Sequence, residues 1–404
     1  MTIKIAWRNI WRNKIRSLII IVSVSSGLLA GMAVISLYEG MMRSRVRTVI
    51  ETETGHIQIH QKNFLNDRMT EYYIPNPQLI SDHLKNDMSV RAFSERTISE
   101  GMLSTASGVS GVSIIGILPQ NEIIVSGLDQ KIKEGFLIPR EDINGILIGK
   151  KLSQKLKIHL GQKIILTVTD SAGNLTSSAF RLRGIYQSDN ALIDEVNVYV
   201  SQQSIQAMLT LKNQIHEISV LLKSDEQMDE CLRRYKIKFP DLAIDSWKSL
   251  SPETNLLVTT VDYYSFIILV ILFIAISFGI MNTMMMSVLE RRYETGMMMA
   301  LGMGKYKIMY MIILETIFLS IISIPVIIPM ALMTIQYYGE KGIDLSGMGK
   351  DMMYSFGFET TIYPVFPIEK LPSLIILLFI TAIISSILPT WKSVQNSPIQ
   401  ALRN

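Results

Sequence analysis

Cysteine is almost missing from this sequence. Its 404 residues include one, Cys231, which excludes an intrachain disulfide and any cysteine-built metal centre. The lone thiol reads as a packed side chain. Charge is scarce too: 18% of residues are Asp, Glu, Lys or Arg, against about 25% in soluble domains. The net charge of +4 is too small to imply nucleic acid, and no basic run is interleaved with aromatics. Catalytic signatures are absent as well, with no Gly-x-Ser-x-Gly elbow and no His-Glu-x-x-His helix. These shortages describe a membrane protein that brings no catalytic residues, metal ligands or cofactor site of its own.

Long apolar runs are what the chain has instead. Leu18–Leu37, Tyr264–Leu289, Ile308–Ile335 and Leu371–Leu388 each meet the requirement of about 20 mostly apolar residues for a bilayer-crossing helix. The first run is longer than the apolar core of a signal peptide, and no small-x-small cleavage site follows it, so it reads as an uncleaved span. Lys4, Arg8, Arg12, Lys14 and Arg16 precede it. Arg291, Arg292, Lys305 and Lys307 fill the short loop between spans two and three, and Lys392 and Arg403 follow span four. By the positive-inside rule these flanks are cytoplasmic. Arg43, Arg45 and Arg47 point the other way, but they open a long region, and long regions cross largely regardless of charge.

The predicted organisation is therefore a membrane protein of four transmembrane helices, with a large α+β extracytoplasmic domain between helices one and two. Residues 1–16 form a cytoplasmic amphipathic helix, 17–39 the first span, 40–258 the outer domain and 259–289 the second span. Residues 290–306 form a cytoplasmic coupling helix, 307–335 the third span, 336–369 an outer loop, 370–389 the fourth span and 390–404 a cytoplasmic tail. In the first segment Ile3, Trp7, Ile10 and Trp11 recur at helical spacing beside a Lys4, Arg8, Arg12 stripe. Like charges at i, i+4 repel in water, whereas each is worth about 1 kcal/mol against anionic lipid, so this helix should lie flat on the inner leaflet.

The outer domain reads as strands and hairpins. His56 to His60 alternate, Ile164–Thr169 and Phe180–Tyr186 flank an Asp170–Asn174 turn, and Glu195–Val200 and Ile218–Leu222 are further strands. Ser201–Leu209 reads as a helix capped by Ser201. Two decoys are set aside. His56 and His60 on a strand stand about 13 Å apart, too far to share a metal. Gly145–Lys151 lacks one residue of a phosphate loop and its Ser/Thr.

The most informative segment follows span two. Glu290, Arg291, Arg292 and Glu294 place charge where a cytoplasmic partner could hold it, Gly296 should end or bend the short helix, and Met297, Ala300 and Leu301 fall at i, i+3, i+4. An amphiphilic segment trapped between two spans makes sense as a surface that another protein pushes. Within the membrane, Ser23, Gly27 and Gly31 form a small-xxx-small track for close helix approach. Glu315, deep in span three, should face the protein interior as helix–helix glue, and Pro325 and Pro329 should kink that span. The methionines around the segment read mostly as filler.

At these residues the chain resembles the FtsX-like permeases of ABC transporters, the group of MacB-type and lipoprotein-releasing systems. The resemblance rests on Ala6-Trp7-Arg8-Asn9-Ile10-Trp11-Arg12-Asn13-Lys14, Gly149-Lys150-Lys151-Leu152, Leu160-Gly161-Gln162, Arg183-Gly184-Ile185-Tyr186, the segment from Asn282 to Gly302, and Pro389-Thr390-Trp391-Lys392 with Pro398 to Arg403. It implies a bacterial inner-membrane mechanotransmission permease with both termini cytoplasmic. Such a permease pairs with a second permease subunit, the same or a related chain, and with a cytoplasmic ATPase dimer that binds the ATP and Mg. Within that family the unfused ATPase, the large outer domain and the phrase Gly55-His56-Ile57-Gln58-Ile59-His60 resemble lipoprotein-releasing permeases most. That resemblance implies extraction of lipoproteins from the outer leaflet for a periplasmic carrier. Ser23, Gly27, Gly31, Phe273 and Phe278 would then line a lateral gate or dimer contact; the sequence does not locate the carrier surface, and Leu209–Glu217, between a predicted helix and strand, is picked out by position only. MacB-like export of peptides, toxins or drugs, and an ABC-type sensor, are the alternatives.

Overall fold

The structure, a computed structural model, describes residues 2–395. The Pro398–Arg403 part of the C-terminal signature, and the tail cation Arg403, lie outside the described residues. The long helices are α1 (Thr2–Arg12), α2 (Lys14–Thr48), α3 (Pro252–Glu290), α4 (Arg292–Ala300), α5 (Lys305–Lys341), α6 (Lys350–Ser355) and α7 (Leu371–Gln395). Among the described residues, four helical stretches are long and apolar enough to cross a membrane: Ser17–Thr54, Pro252–Glu290, Lys305–Lys341 and Ile368–Val394. Their 39 residues in α3 and 37 in α5 correspond to about 58 and 55 Å at about 1.5 Å per residue, well beyond a hydrocarbon layer of about 30 Å. Hydropathy marks only the stretch that needs lipid, so it stops short of where these helices stop. α5 also continues unbroken through Pro325 and Pro329.

The chain divides into two compact units. One comprises residues 1–42, 259–344 and 361–404; the other comprises 43–258 and 345–360. In the first, Ile20, Val24, Leu28 and Met32 of α2 form one core with Leu269, Phe273 and Ile280 of α3, Ile312 and Leu319 of α5, and Leu374 and Leu378 of α7.

The second unit is built on a ten-stranded sheet of order β10-β1-β9-β2-β3-β8-β5-β7-β4, with β6 paired to β2 and β7. The strands are β1 (Ile57–Gln61), β2 (Val90–Thr105), β3 (Gly108–Ile117), β4 (Ile132–Gly135), β5 (Gly145–Gly149), β6 (Lys163–Thr169), β7 (Leu175–Tyr186), β8 (Asn197–Ser201), β9 (Glu217–Leu222) and β10 (Leu242–Ser246). The expected hairpin is present, from Thr169↔Leu175 at the turn to Lys163↔Arg181. β1 alternates as predicted, yet its polar side chains are buried too. His56 reaches Asp225 at 2.6 Å and His60 reaches Asp245 at 3.2 Å, so both faces of this strand are covered. Gly145–Gly149 is a strand, not a loop around phosphate.

Two readings are corrected. Glu195 and Val196 end a short helix, Ala191–Val196, and the strand starts at Asn197. The helix begins because Asn190 accepts a hydrogen bond from Leu192 N, a side-chain cap that outweighs the β propensity of the following run. Ser201 does precede the helix Gln202–Met208, but its hydroxyl makes no cap bond.

The 336–369 segment is not a simple loop. A two-stranded pairing, Ile343↔Ile362 and Asp344↔Thr361, pinches off residues 345–360, which join the sheet unit. There Tyr354 donates its hydroxyl hydrogen bond to Asp194, and Arg45 reaches both Glu53 at 3.0 Å and the Gly357 carbonyl at 3.4 Å. Asp194 also accepts bonds from Ser188 N at 3.0 Å and Ser188 Oγ at 2.6 Å. Its backbone presses on Gly149 so closely that a Cβ there would stand 2.1 Å from the Asp194 carbonyl. Burial raises the Asp194 carboxyl to about 6, against the opposing pull of the Ser188 and Tyr354 bonds.

A raised carboxyl makes the folded chain hold a proton that the unfolded chain has released. Its contribution to stability is therefore complete below about pH 4 and is lost as pH rises through about 6. Asp194→Asn should remove up to about 1.4 kcal/mol per pH unit of slope across that window, read as the pH dependence of the thermal unfolding midpoint against wild type. Equal slopes would show that Asp194 is ionised throughout.

Candidate functional site

α3 and α4 are almost one helix. Glu290 closes the first, Arg292 opens the second, and Arg291 between them has φ −98° and ψ 13°. That one residue outside helical geometry makes an elbow, and its side chain explains the bend. Arg291 is buried and donates from Nη1 to both Glu315 oxygens, at 3.1 and 3.2 Å, and from Nη2 to the Asn9 carbonyl at 3.3 Å. Nη1 alone holds both carboxylate oxygens while Nη2 turns to Asn9, so the buried guanidinium has its counter-charge in Glu315 without a two-pronged fork. Glu315 thus faces the interior as expected. It sits only about 15 Å along α5 from Lys305, near one end of the helix and not deep within it.

The same residues change the reading of the coupling segment. Arg291 belongs to this internal pair and is not presented to a partner. Gly296 neither ends nor bends α4; it is buried in mid-helix. The terminator is Gly302, whose φ of +93° suits glycine, with Met303 N bonded back to the Met298 carbonyl at 3.0 Å. Glu294 forms an ion pair with Arg12 of α1. Glu290 and Arg292 lie at the two sides of the bend, exposed and half-buried respectively.

α1 packs on the foot of α5. Ala6 and Ile10 are buried, and Trp7 meets Phe318 edge to face with ring centroids 5.6 Å apart. On α4, Thr295 and Gly296 turn inward, while Tyr293, Met297 and Leu301 are 58%, 45% and 83% exposed and Ala300 is exposed beside them. Tyr293, Met297 and Leu301 stand four apart and form one ridge. The sequence places Met297, Ala300 and Leu301 on this exposed edge; Tyr293, which the i, i+4, i+8 spacing adds to it, was not among the expected residues. Nor were Asn9 and Arg12, which lie far away in sequence.

The proposed gate residues do not share a surface. A Cβ on Gly27 would stand 2.0 Å from Ile276 Cδ1, and one on Gly31 would stand 3.2 Å from Leu269 Cδ2. Phe273 is buried with them, Ser23 is half-buried, and Phe278 is 62% exposed on another side of α3. The small-residue track is thus filled by α3 of the same chain, because close packing inside the bundle satisfies it first. Among the described residues, no group of three or more His, Cys, Asp or Glu side chains could hold a metal.

A buried pair with only one partner removed is costly. Glu315→Ala should cost about 3–5 kcal/mol by stranding Arg291, while Arg291→Met with Glu315→Met should cost far less. Thermal unfolding of the full chain in detergent checks this; equal losses would mean that Arg291 is solvated and the pair is incidental.

Four membrane-competent helices, a large sheet domain between the first two and an amphiphilic elbow after the second define a multi-pass membrane permease. A family model of the MacB-like periplasmic core domain matches residues 17–235, and one of the FtsX-like permease C-terminal region matches 265–398. The chain belongs to this family of ABC-transporter permeases, of the MacB/LolC type and of the inner membrane, and the sheet domain is its periplasmic MacB-like domain. It is 23% identical over 321 residues to the lipoprotein-releasing system transmembrane protein LolC of Buchnera aphidicola subsp. Schizaphis graminum, covering 77% of this chain and 76% of that protein. It is also 23% identical over 337 residues to the macrolide export ATP-binding/permease protein MacB of Aggregatibacter actinomycetemcomitans, covering 77% and 49%. The chain therefore spans about half the length of that MacB relative. Among solved structures, the periplasmic region of MacB from Actinobacillus actinomycetemcomitans matches with TM-score 0.38 and 18% identity over 53% of this chain and 97% of that one.

Proposed function

We propose that this chain is the moving half of a lipoprotein-releasing transporter, driven by a separate cytoplasmic ATPase that binds ATP and Mg. Two permease subunits would pair with two ATPase subunits. The observation that carries the reading is the α4 ridge of Tyr293, Met297 and Leu301, held outward by the Arg291–Glu315 pair. An apolar helical edge of this kind fits a groove on a partner. Orientation follows from charge: Lys4, Arg8, Arg12, Arg292, Lys305 and Lys307 lie on segments that the Arg12–Glu294 ion pair brings to one end of the bundle. That end is cytoplasmic by the positive-inside rule, with both termini on that side.

Lipoprotein release is put first on the resemblance of Gly55-His56-Ile57-Gln58-Ile59-His60 to lipoprotein-releasing permeases and on the match to the LolC relative. Extraction suits the architecture physically. Each buried CH₂ of an acyl chain holds with about 0.8 kcal/mol, so release needs energy from outside the membrane. MacB-like export of periplasmic peptides, toxins or drugs is the second reading, supported by the matches to two macrolide exporters.

Co-purification measures the coupling. Tyr293→Ala with Leu301→Asp should weaken ATPase association by about a hundredfold, since each lost apolar anchor removes about 1.4 kcal/mol. Reconstitution with a triacylated lipoprotein and a soluble carrier should give ATP-dependent release in wild type and little in this variant. Release of a macrolide but no lipoprotein would favour the second reading, and unchanged ATPase binding in the variant would remove α4 as the docking edge.

A further inference from the structure

The elbow touches more than the helices it joins. α4 is covalently continuous with α3 and, through Gly302–Gly304, with α5, so any push on α4 reaches those two helices through the chain itself. α2 has no such link to α4. Yet three contacts tie α4 and its bend to α1: the Arg12–Glu294 ion pair, the Arg291 Nη2 bond to the Asn9 carbonyl at 3.3 Å, and the shared anchoring of Arg291 and Trp7 on α5, through Glu315 and Phe318. α1 then passes into α2 over a single residue, Asn13. That corner is itself tied: Ser17 Oγ donates to the Ile10 carbonyl at 2.6 Å, and Ser17 N donates to the Asn13 carbonyl at 3.1 Å.

We infer that α1 is a strap through which the elbow moves the first spanning helix, with Arg12, Asn9 and Ser17 as its positioning residues. The inference deepens the proposed function and rests on its reading of α4 as the element that the ATPase moves. A helix lying on lipid alone would need its cations and its exposed Ile3, Trp7 and Trp11. It would not need an arginine committed to a glutamate of α4, nor a carbonyl committed to the buried arginine of the bend. With the strap closed, one displacement of α4 pulls on α2, α3 and α5 together. With it open, α2 follows only through its side-chain packing on α3.

The test uses the full chain co-purified with its ATPase in lipid nanodiscs, and it needs no transported substrate. Hydrogen exchange along α2 is compared between the nucleotide-free and the ATP-plus-vanadate-trapped complex. Wild type should show a nucleotide-dependent difference in α2. Arg12→Glu should reduce that difference about threefold, the scale of one exposed ion pair, while ATPase association and the exchange difference in α3 persist. Arg12→Glu with Glu294→Arg should restore it, which a merely structural role for Arg12 would not produce. Insertion of two glycines after Asn13 should reduce it at least as far, again with α3 unaffected. Wild-type differences in α2 for both Arg12→Glu and the insertion variant would overturn the strap while leaving the docking of α4 intact. A wild-type chain that recruits no ATPase would overturn both the docking and the strap.

Discussion

An arginine and a glutamate withdrawn from water together hold this permease's elbow in shape. Either charge alone in that position would cost several kcal/mol of desolvation, so Arg291 must sit where Glu315 can meet it. Arg291 is the only residue between α3 and α4, and the direction in which α4 leaves α3 is therefore set by a side chain 24 positions away on α5. Once the bend is fixed, the helical period does the rest. Thr295 and Gly296 turn inward, and Tyr293, Met297 and Leu301 have nowhere to point but outward. The apolar ridge is a consequence of the ion pair, which is why the pair and the ridge belong to one functional argument.

The periplasmic domain uses the same chemistry for a different end. Arg96, buried in β2, holds Glu122 at 2.7 Å and Glu217 at 3.0 Å. Burial pushes the Glu122 carboxyl up, but Arg96 prevails and keeps it below the usual carboxylate range. Such a triad costs more than an apolar core of the same volume would, yet it tolerates only one arrangement of its donors and acceptors. Beside it, Asn190 binds Glu53 at 2.8 Å and Lys131 binds Thr52 Oγ1 at 2.8 Å, so the π-helical turn Val49–Thr54 is bonded to the domain through side chains on two different elements.

Much of this was legible in the sequence, and the gaps have physical causes. Spanning helices announce themselves because lipid demands uninterrupted apolar residues, and the Ile164–Tyr186 hairpin because turn chemistry is local. The exposed apolar edge after α3 was legible for the same reason: Met297, Ala300 and Leu301 lie within one turn or so of each other. What stayed hidden were partnerships across long separations. Nothing near Arg291 says that it faces Glu315 and not a partner protein, and nothing near Arg12 names Glu294. The misreading of Gly296 is of another kind. Glycine ends helices when the backbone must turn left-handed, as it does at Gly302, but in mid-helix it can equally serve to let another surface come close. Only burial distinguishes the two uses. The Ser23, Gly27, Gly31 track misled for a related reason, since a groove for a helix does not say whose helix fills it.

The four long helices are not equally enclosed, and the inequality bears on where work is done. In the most apolar window of α5, 44% of residues are buried; in that of α3 only 22% are. Phe266, Ile267, Ile271, Ile274 and Phe278 all stand open on α3, although Gly27 and Gly31 press against its other side. α5 is held by α1 and by the ion pair, and its proline positions are carried without interruption, so it has the character of a post. α3 leaves most of its apolar window uncovered and runs directly into Arg291. The helix with the most free apolar surface is therefore the one joined directly to the elbow. A displacement delivered there changes which apolar groups α3 presents to its surroundings at little cost in internal packing.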